Sequence, residues 1–167
     1  MNMKSLLPLL FFSTTLAAQA AVIPFGTGCS WNAQTLSIGN VGVPVIGTTF
    51  QLTYSGPNWT FNFAQQIMQP NLVIGFGQSL FPIPVGFLPQ QPAGCTGYIT
   101  PDLVFPTAPS RTPGVWDNFV DVAVPNVPAL VGFVAYAQWL TVFQQCGFAG
   151  CGTDAFLTSD AAMLILG

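Results

Sequence analysis

From Ser5 to Pro101 no residue carries a charge. This uncharged run constrains the fold more than any other feature of the chain. A helix at a protein surface needs a polar face, and Glu, Lys and Arg are the residues that supply it without loss of helix propensity. The chain has no Glu, its only bases are Lys4 and Arg111, and its acids are Asp102, Asp117, Asp121, Asp154 and Asp160. What remains to cover the surface is Ser, Thr, Asn and Gln, which suit strands and turns. Gly 17 and Pro 15 are spread along the sequence and divide it into short segments. They read as turns between strands and not as a disordered tail.

Those segments have strand character. Thr48–Tyr54 alternates with period two, Phe50 and Leu52 against Thr49, Gln51 and Thr53. Asn118–Val124 sets Val120, Val122 and Val124 on one face, with Phe119, Asp121 and Ala123 on the other. Leu72–Phe76 ends in the Gly75–Gly77 region, Asp102–Phe105 follows Pro101 and stops at Pro106, Val131–Trp139 suits an extended strand, and Ala161–Leu166 is an apolar strand at the end of the sequence. Strands at roughly ten-residue spacing predict an all-β fold, an antiparallel β-sandwich or jelly-roll-like single domain. Ala129–Gln144 is the one place where a helix fits the pattern. Ala129–Phe143 is apolar, but it is too short for a membrane helix, contains Gln138 and lacks flanking cations, so no membrane span is expected. The Pro-rich stretches Phe81–Gly86 and Leu88–Gly94 are expected as ordered loops or edges over the β core.

Residues 1–20 have the three-part layout of a secretory signal peptide: Lys4, an apolar stretch from Leu6 to Phe12, and Ala18-Gln19-Ala20 before a cleavage point. Residues 21–167 then form one secreted domain, extracellular or at the cell surface. All four cysteines, Cys29, Cys95, Cys146 and Cys151, follow that point, as expected for disulfides in an oxidising compartment. Four cysteines allow three pairings. The spacing of Cys146 and Cys151 can close a short local loop, which leaves Cys29 to meet Cys95. A four-thiolate zinc site would want two CxxC-like pairs, and only one near match is present.

Composition excludes many activities. With His 0 there is no Ser-His-Asp or Cys-His pair and no imidazole ligand. One Arg beyond the leader cannot make the basic footprint of a nucleic-acid binder, so no nucleic-acid partner is expected. Asp117-Asn118-x-x-Asp121 and Thr153-Asp154 with Asp160 are the densest oxygen clusters, but neither has the regular spacing of a calcium loop. On a strand, Asp117 and Asp121 would lie about 13 Å apart. They are read as solvated aspartates, with no metal and no cofactor. Paired carboxylates leave glycoside hydrolysis formally open, but the expectation is that the chain is not an enzyme.

The aromatics give a binding alternative. Trp59 follows Gly56-Pro57-Asn58 and Trp116 follows Pro113-Gly114-Val115, so both are placed near loops, where exposed rings could stack on sugars of a polysaccharide. The competing reading is that Trp31, Trp59, Trp116 and Trp139 cap the core. Asn58-Trp59-Thr60 also fits an N-glycosylation acceptor.

A set of turn and strand motifs runs along the chain: Gly26-Thr27-Gly28-Cys29, Pro44-x-x-Gly47-x-x-Phe50-x-Leu52, Leu72-Val73-Ile74-Gly75-Phe76 and Ala93-Gly94-Cys95. It continues with Pro125-Asn126-x-Pro128-Ala129-Leu130-x-Gly132, Tyr136-Ala137-Gln138 and the closing Leu166-Gly167. In these motifs the sequence resembles a secreted β-domain of planctomycete-type bacterial extracellular proteins, often found at the C-terminal end of longer chains. The resemblance covers nearly all of residues 25–167 and implies a compact all-β extracellular module with Cys29 bonded to Cys95. It implies no enzymatic activity. This chain departs from the pattern in standing alone as a single module and in adding the Cys146–Cys151 loop.

A surface with 4% charged residues on a chain that is 51% hydrophobic is expected to leave apolar patches exposed. The expected role is therefore extracellular and structural or interactive: a matrix, envelope or self-assembling filament subunit, whose partners are other extracellular proteins or itself. The alternative is a carbohydrate-binding module using Trp59 and Trp116.

Overall fold

The computed structural model describes residues 19–31, 34–56, 66–107, 118–147 and 150–167. The strands, in chain order, are β1 (Ala21–Phe25), β2 (Ser30–Trp31), β3 (Gln34–Thr35), β4 (Ser37–Val41), β5 (Thr49–Ser55) and β6 (Gln66–Gly75). They continue with β7 (Gln78–Pro82), β8 (Thr96–Ile99), β9 (Leu103–Pro106), β10 (Asn118–Ala123), β11 (Val134–Gly147) and β12 (Gly150–Ile165). A single 3-10 turn, Pro128–Leu130, precedes β11. The segment where a helix fitted the sequence is therefore one tight turn followed by a long strand.

The main sheet has five strands in the order β1-β12-β11-β6-β9, and a second has three in the order β10-β5-β4. All pairings are antiparallel. The expected sandwich is present as five strands against three. Phe50, Leu52 and Tyr54 of β5 are buried and their neighbours are not, as period two demands. Val120 and Val122 of β10 turn inward, while Phe119, Asp121 and Ala123 are exposed. Trp139 ties the layers together. It is fully buried, its indole N–H donates to the Thr53 carbonyl at 3.0 Å, and the Tyr54 ring meets it edge to face at 5.6 Å. Burial pushes the Tyr54 hydroxyl up to about 12.

The five-stranded sheet is covered on its other face too. There Val73, Ile99 and Ala161 form a smaller core with Phe25, Tyr98, Tyr136 and Leu140. The cover is the hairpin of β7 and β8, a separate two-stranded sheet. Its approach explains Gly75 at the end of β6: a Cβ there would stand 2.2 Å from the Thr100 carbonyl oxygen. Gly28 is constrained in the same way, with the Leu36 carbonyl oxygen 1.8 Å from where a Cβ would lie.

Both disulfides pair as the short-loop spacing allows. Cys29–Cys95 joins the start of the chain's described part to the residue before β8, and Cys146–Cys151 closes the end of the β11–β12 hairpin. No helix among the described residues is long and apolar enough to cross a membrane.

Candidate functional site

Two apolar clefts lie on opposite faces of the five-stranded sheet. The first, 440 Å³, opens between the two sheets where β9 and β10 form the lips. One wall is Leu72, Ile74 and Phe105, and the other is Phe50, Val120 and Val122. In the β6–β9 register Leu72 faces Phe105 and Ile74 faces Leu103, so the cleft continues the core face of β6 out to an edge strand. Phe76 and Phe133, both exposed, stack edge to face at 6.0 Å on its lining. All four residues of β9 are exposed. Among the described residues, Asp121 is the one charged side chain along this cleft.

The second cleft, 560 Å³, lies under the β7–β8 hairpin. Val73, Leu140 and Phe156 of the sheet form its floor, and Phe81 of β7 rises over it with Ile83 and Phe87 of the β7–β8 connection. Among the described residues, none that lines it is charged. The hairpin is strapped down by side chains that replace a main-chain ladder. Gln138 Oε1 accepts from the Tyr98 N–H at 2.9 Å, and Gln138 Nε2 donates to the carbonyls of Thr96 at 2.9 Å and Ser159 at 2.7 Å. The Thr158 hydroxyl oxygen accepts from the Thr96 N–H at 3.1 Å. Gln91 forms a two-pronged pair with Phe156, donating to its carbonyl at 2.8 Å and accepting from its N–H at 2.9 Å. Cys95, through its bond to Cys29, anchors the same segment, and the Thr158 N–H donates to Cys29 Sγ at 3.1 Å.

The described residues carry four charged side chains, all aspartates. Asp102 caps the turn after β6, accepting from the Phe76 N–H and the Thr100 hydroxyl, each at 2.7 Å. The Thr100 bond first, and the Phe76 bond second, hold its carboxyl below the usual carboxylate range. Asp160 accepts from the Ile38 N–H at 2.7 Å, which joins β12 to β4. Burial pushes its carboxyl up, against the pull of that bond. Asp154 accepts from Gln90 Nε2 at 3.2 Å. No three His, Cys, Asp or Glu side chains among the described residues come together as a metal site.

The two tryptophans singled out by the sequence, Trp59 and Trp116, lie outside the described residues, as do Asp117 and the Asn58 acceptor. Trp139 is core, and Trp31 is half-buried with its ring 5.7 Å from Phe143. The clefts are built from phenylalanine, which the sequence reading passed over. A usable signal was present: Phe76, Phe81, Phe87, Phe105 and Phe133 each adjoin a Gly or Pro, the context of a ring at a strand end or loop.

The fold and clefts define a disulfide-strapped, open antiparallel sandwich with apolar surfaces on two sides. Comparison with protein-family models, curated proteins and solved structures finds no match for the chain. The likeness to the bacterial secreted β-domain therefore rests on the turn and strand motifs alone.

Proposed function

We propose that the protein is a secreted, non-catalytic structural or interaction protein that associates with copies of itself through the open edge between β9 and β10. The observation that carries this reading is the exposure of Leu103 (46%), Phe105 (44%), Phe76 (55%) and Phe133 (41%) around a cleft that leads into the core. A large apolar side chain offers on the order of 150–200 Å², so these four expose roughly 300 Å² together. That is within the range where the largest patch of a monomer is often functional. A standard interface needs about 800 Å² per partner, so this patch is the centre of a contact and a weak, concentration-dependent one is expected. Side-chain burial would carry it more than ladder extension, because Pro106 ends β9 without an N–H donor.

Two disulfides fit an oxidising exterior. The sparse, all-acidic set of described charges offers little repulsion between copies. Sedimentation velocity over a concentration series tests the reading. The weight-average sedimentation coefficient should rise with concentration, and Phe105→Lys should abolish the rise without lowering the melting temperature. A monomer at every attainable concentration refutes it, and retention on polysaccharide by a strict monomer would replace it with carbohydrate binding.

A further inference from the structure

We propose that the 560 Å³ cleft beneath the β7–β8 hairpin binds an uncharged apolar small molecule, a hydrocarbon skeleton with at most one hydroxyl. The proposal is independent of self-association, which uses the opposite face of the sheet.

Size is the first argument. Small-molecule sites fall at about 300–1,000 Å³ and are mainly apolar. Rigidity is the second. The Gln138 bonds to Tyr98 and Thr96, the Thr158 contact, the Gln91–Phe156 pair and the Cys29–Cys95 bond hold the hairpin at a fixed height above the sheet. The cleft is thus propped open in advance, and a ligand need not meet the ordering cost of forming it.

The third argument is polarity. Gln138 and Thr158, the polar side chains on the floor, are already committed to the hairpin. Water in such a space finds few partners and is readily displaced by an apolar group. Among the described residues of the lining a carboxylate or phosphate would find no cation, and a sugar would leave most of its hydroxyls unpaired. Ser79 is exposed on the lining and its hydroxyl has no hydrogen bond among the described residues, so it can meet a single hydroxyl.

The test is titration of the purified protein with the neutral fluorophore N-phenyl-1-naphthylamine, followed by competition with 1-dodecanol and with dodecanoate. Saturable binding at one probe per chain is expected, with dodecanol displacing it at least tenfold better than dodecanoate at neutral pH. Phe81→Lys and Phe87→Lys replace exposed rings, so the fold should hold while probe affinity falls tenfold or more. Phe105→Lys, at the other cleft, should leave it unchanged. If a lysine variant fails to fold, Ser79→Trp fills the cleft from an exposed position and should have the same effect. Absence of saturable binding, equal competition by dodecanoate, indifference to the Phe81, Phe87 and Ser79 variants, loss in Phe105→Lys, or one probe per two chains would each overturn the proposal.

Discussion

Replacing Cys29 and Cys95 together by Ala removes the strap over the second cleft, and its cost can be worked from the structure. The bond spans 66 residues of sequence. On the loop-entropy model its loss lets the unfolded chain regain about 4 kcal/mol of conformational freedom at 25 °C. Both sulfurs are buried, and the Thr158 N–H loses its acceptor on Cys29, which adds about 1–2 kcal/mol. The matched change at Cys146 and Cys151 opens a separation of only 5 at an exposed hairpin end. The same model gives about 2 kcal/mol there, with no buried donor added. With a urea m value of about 2 kcal/mol/M, the first pair should lower the unfolding midpoint by about 2.5–3 M and the second by about 1 M. Urea titration followed by far-UV circular dichroism reads both. Equal shifts, or a larger one for the Cys146–Cys151 pair, would refute the reasoning, since neither loop length nor burial would then govern the effect.

Gln138→Leu should cost about 2–3 kcal/mol, because it strands the Tyr98 N–H and two carbonyls while adding some apolar burial; urea unfolding gives the magnitude, and hydrogen exchange should quicken at the Tyr98 amide specifically. The two structural aspartates should respond to pH in opposite senses. Asp160, pushed up by burial, holds its proton in the folded state where the unfolded chain has lost it, so its contribution is greatest in acid and is lost as pH rises. Asp160→Asn keeps an acceptor for the Ile38 N–H and should be more stable than the parent at pH 7, with the gap closing below about pH 4. Asp102, held low by Thr100 and Phe76, stabilises above its unfolded value and loses that contribution as pH falls through the folded one. Asp102→Ala should therefore be destabilising at pH 7 and neutral in strong acid, as melting curves across pH will show.

The edges and the outer layer were legible in the sequence to different degrees. β5 and β10 could be read residue by residue, because one face of each meets the core and the other meets water. β12 could not. Only Ala161–Leu166 looks like a strand, since Asp154, Thr158, Ser159 and Asp160 interrupt the apolar pattern. In the structure those polar residues serve the strand itself: Ser159 Oγ accepts the Trp139 N–H at a register shift, and Thr158 holds Cys29 and Thr96. Gln138 likewise reads as a defect in β11 and is in fact the anchor of the hairpin. A buried polar side chain with distant backbone partners leaves no periodic trace, and that is why the strap and the cleft beneath it were invisible. The binding residues sought as tryptophans fell outside the described residues, and the clefts use phenylalanine.

The pairing of β1 with the far end of β12 has a kinetic consequence. Ala21 sits opposite Ile165, so one edge of the main sheet joins nearly the two extremes of the described chain. β11 and β12 can zip locally, through a hairpin whose tip is the Cys146–Cys151 loop. β1 has no partner until that hairpin exists. Such non-local closure slows folding. A chain that emerges from its N-terminus must therefore keep Val22, Ile23 and Phe25 waiting in solution until its last strand arrives.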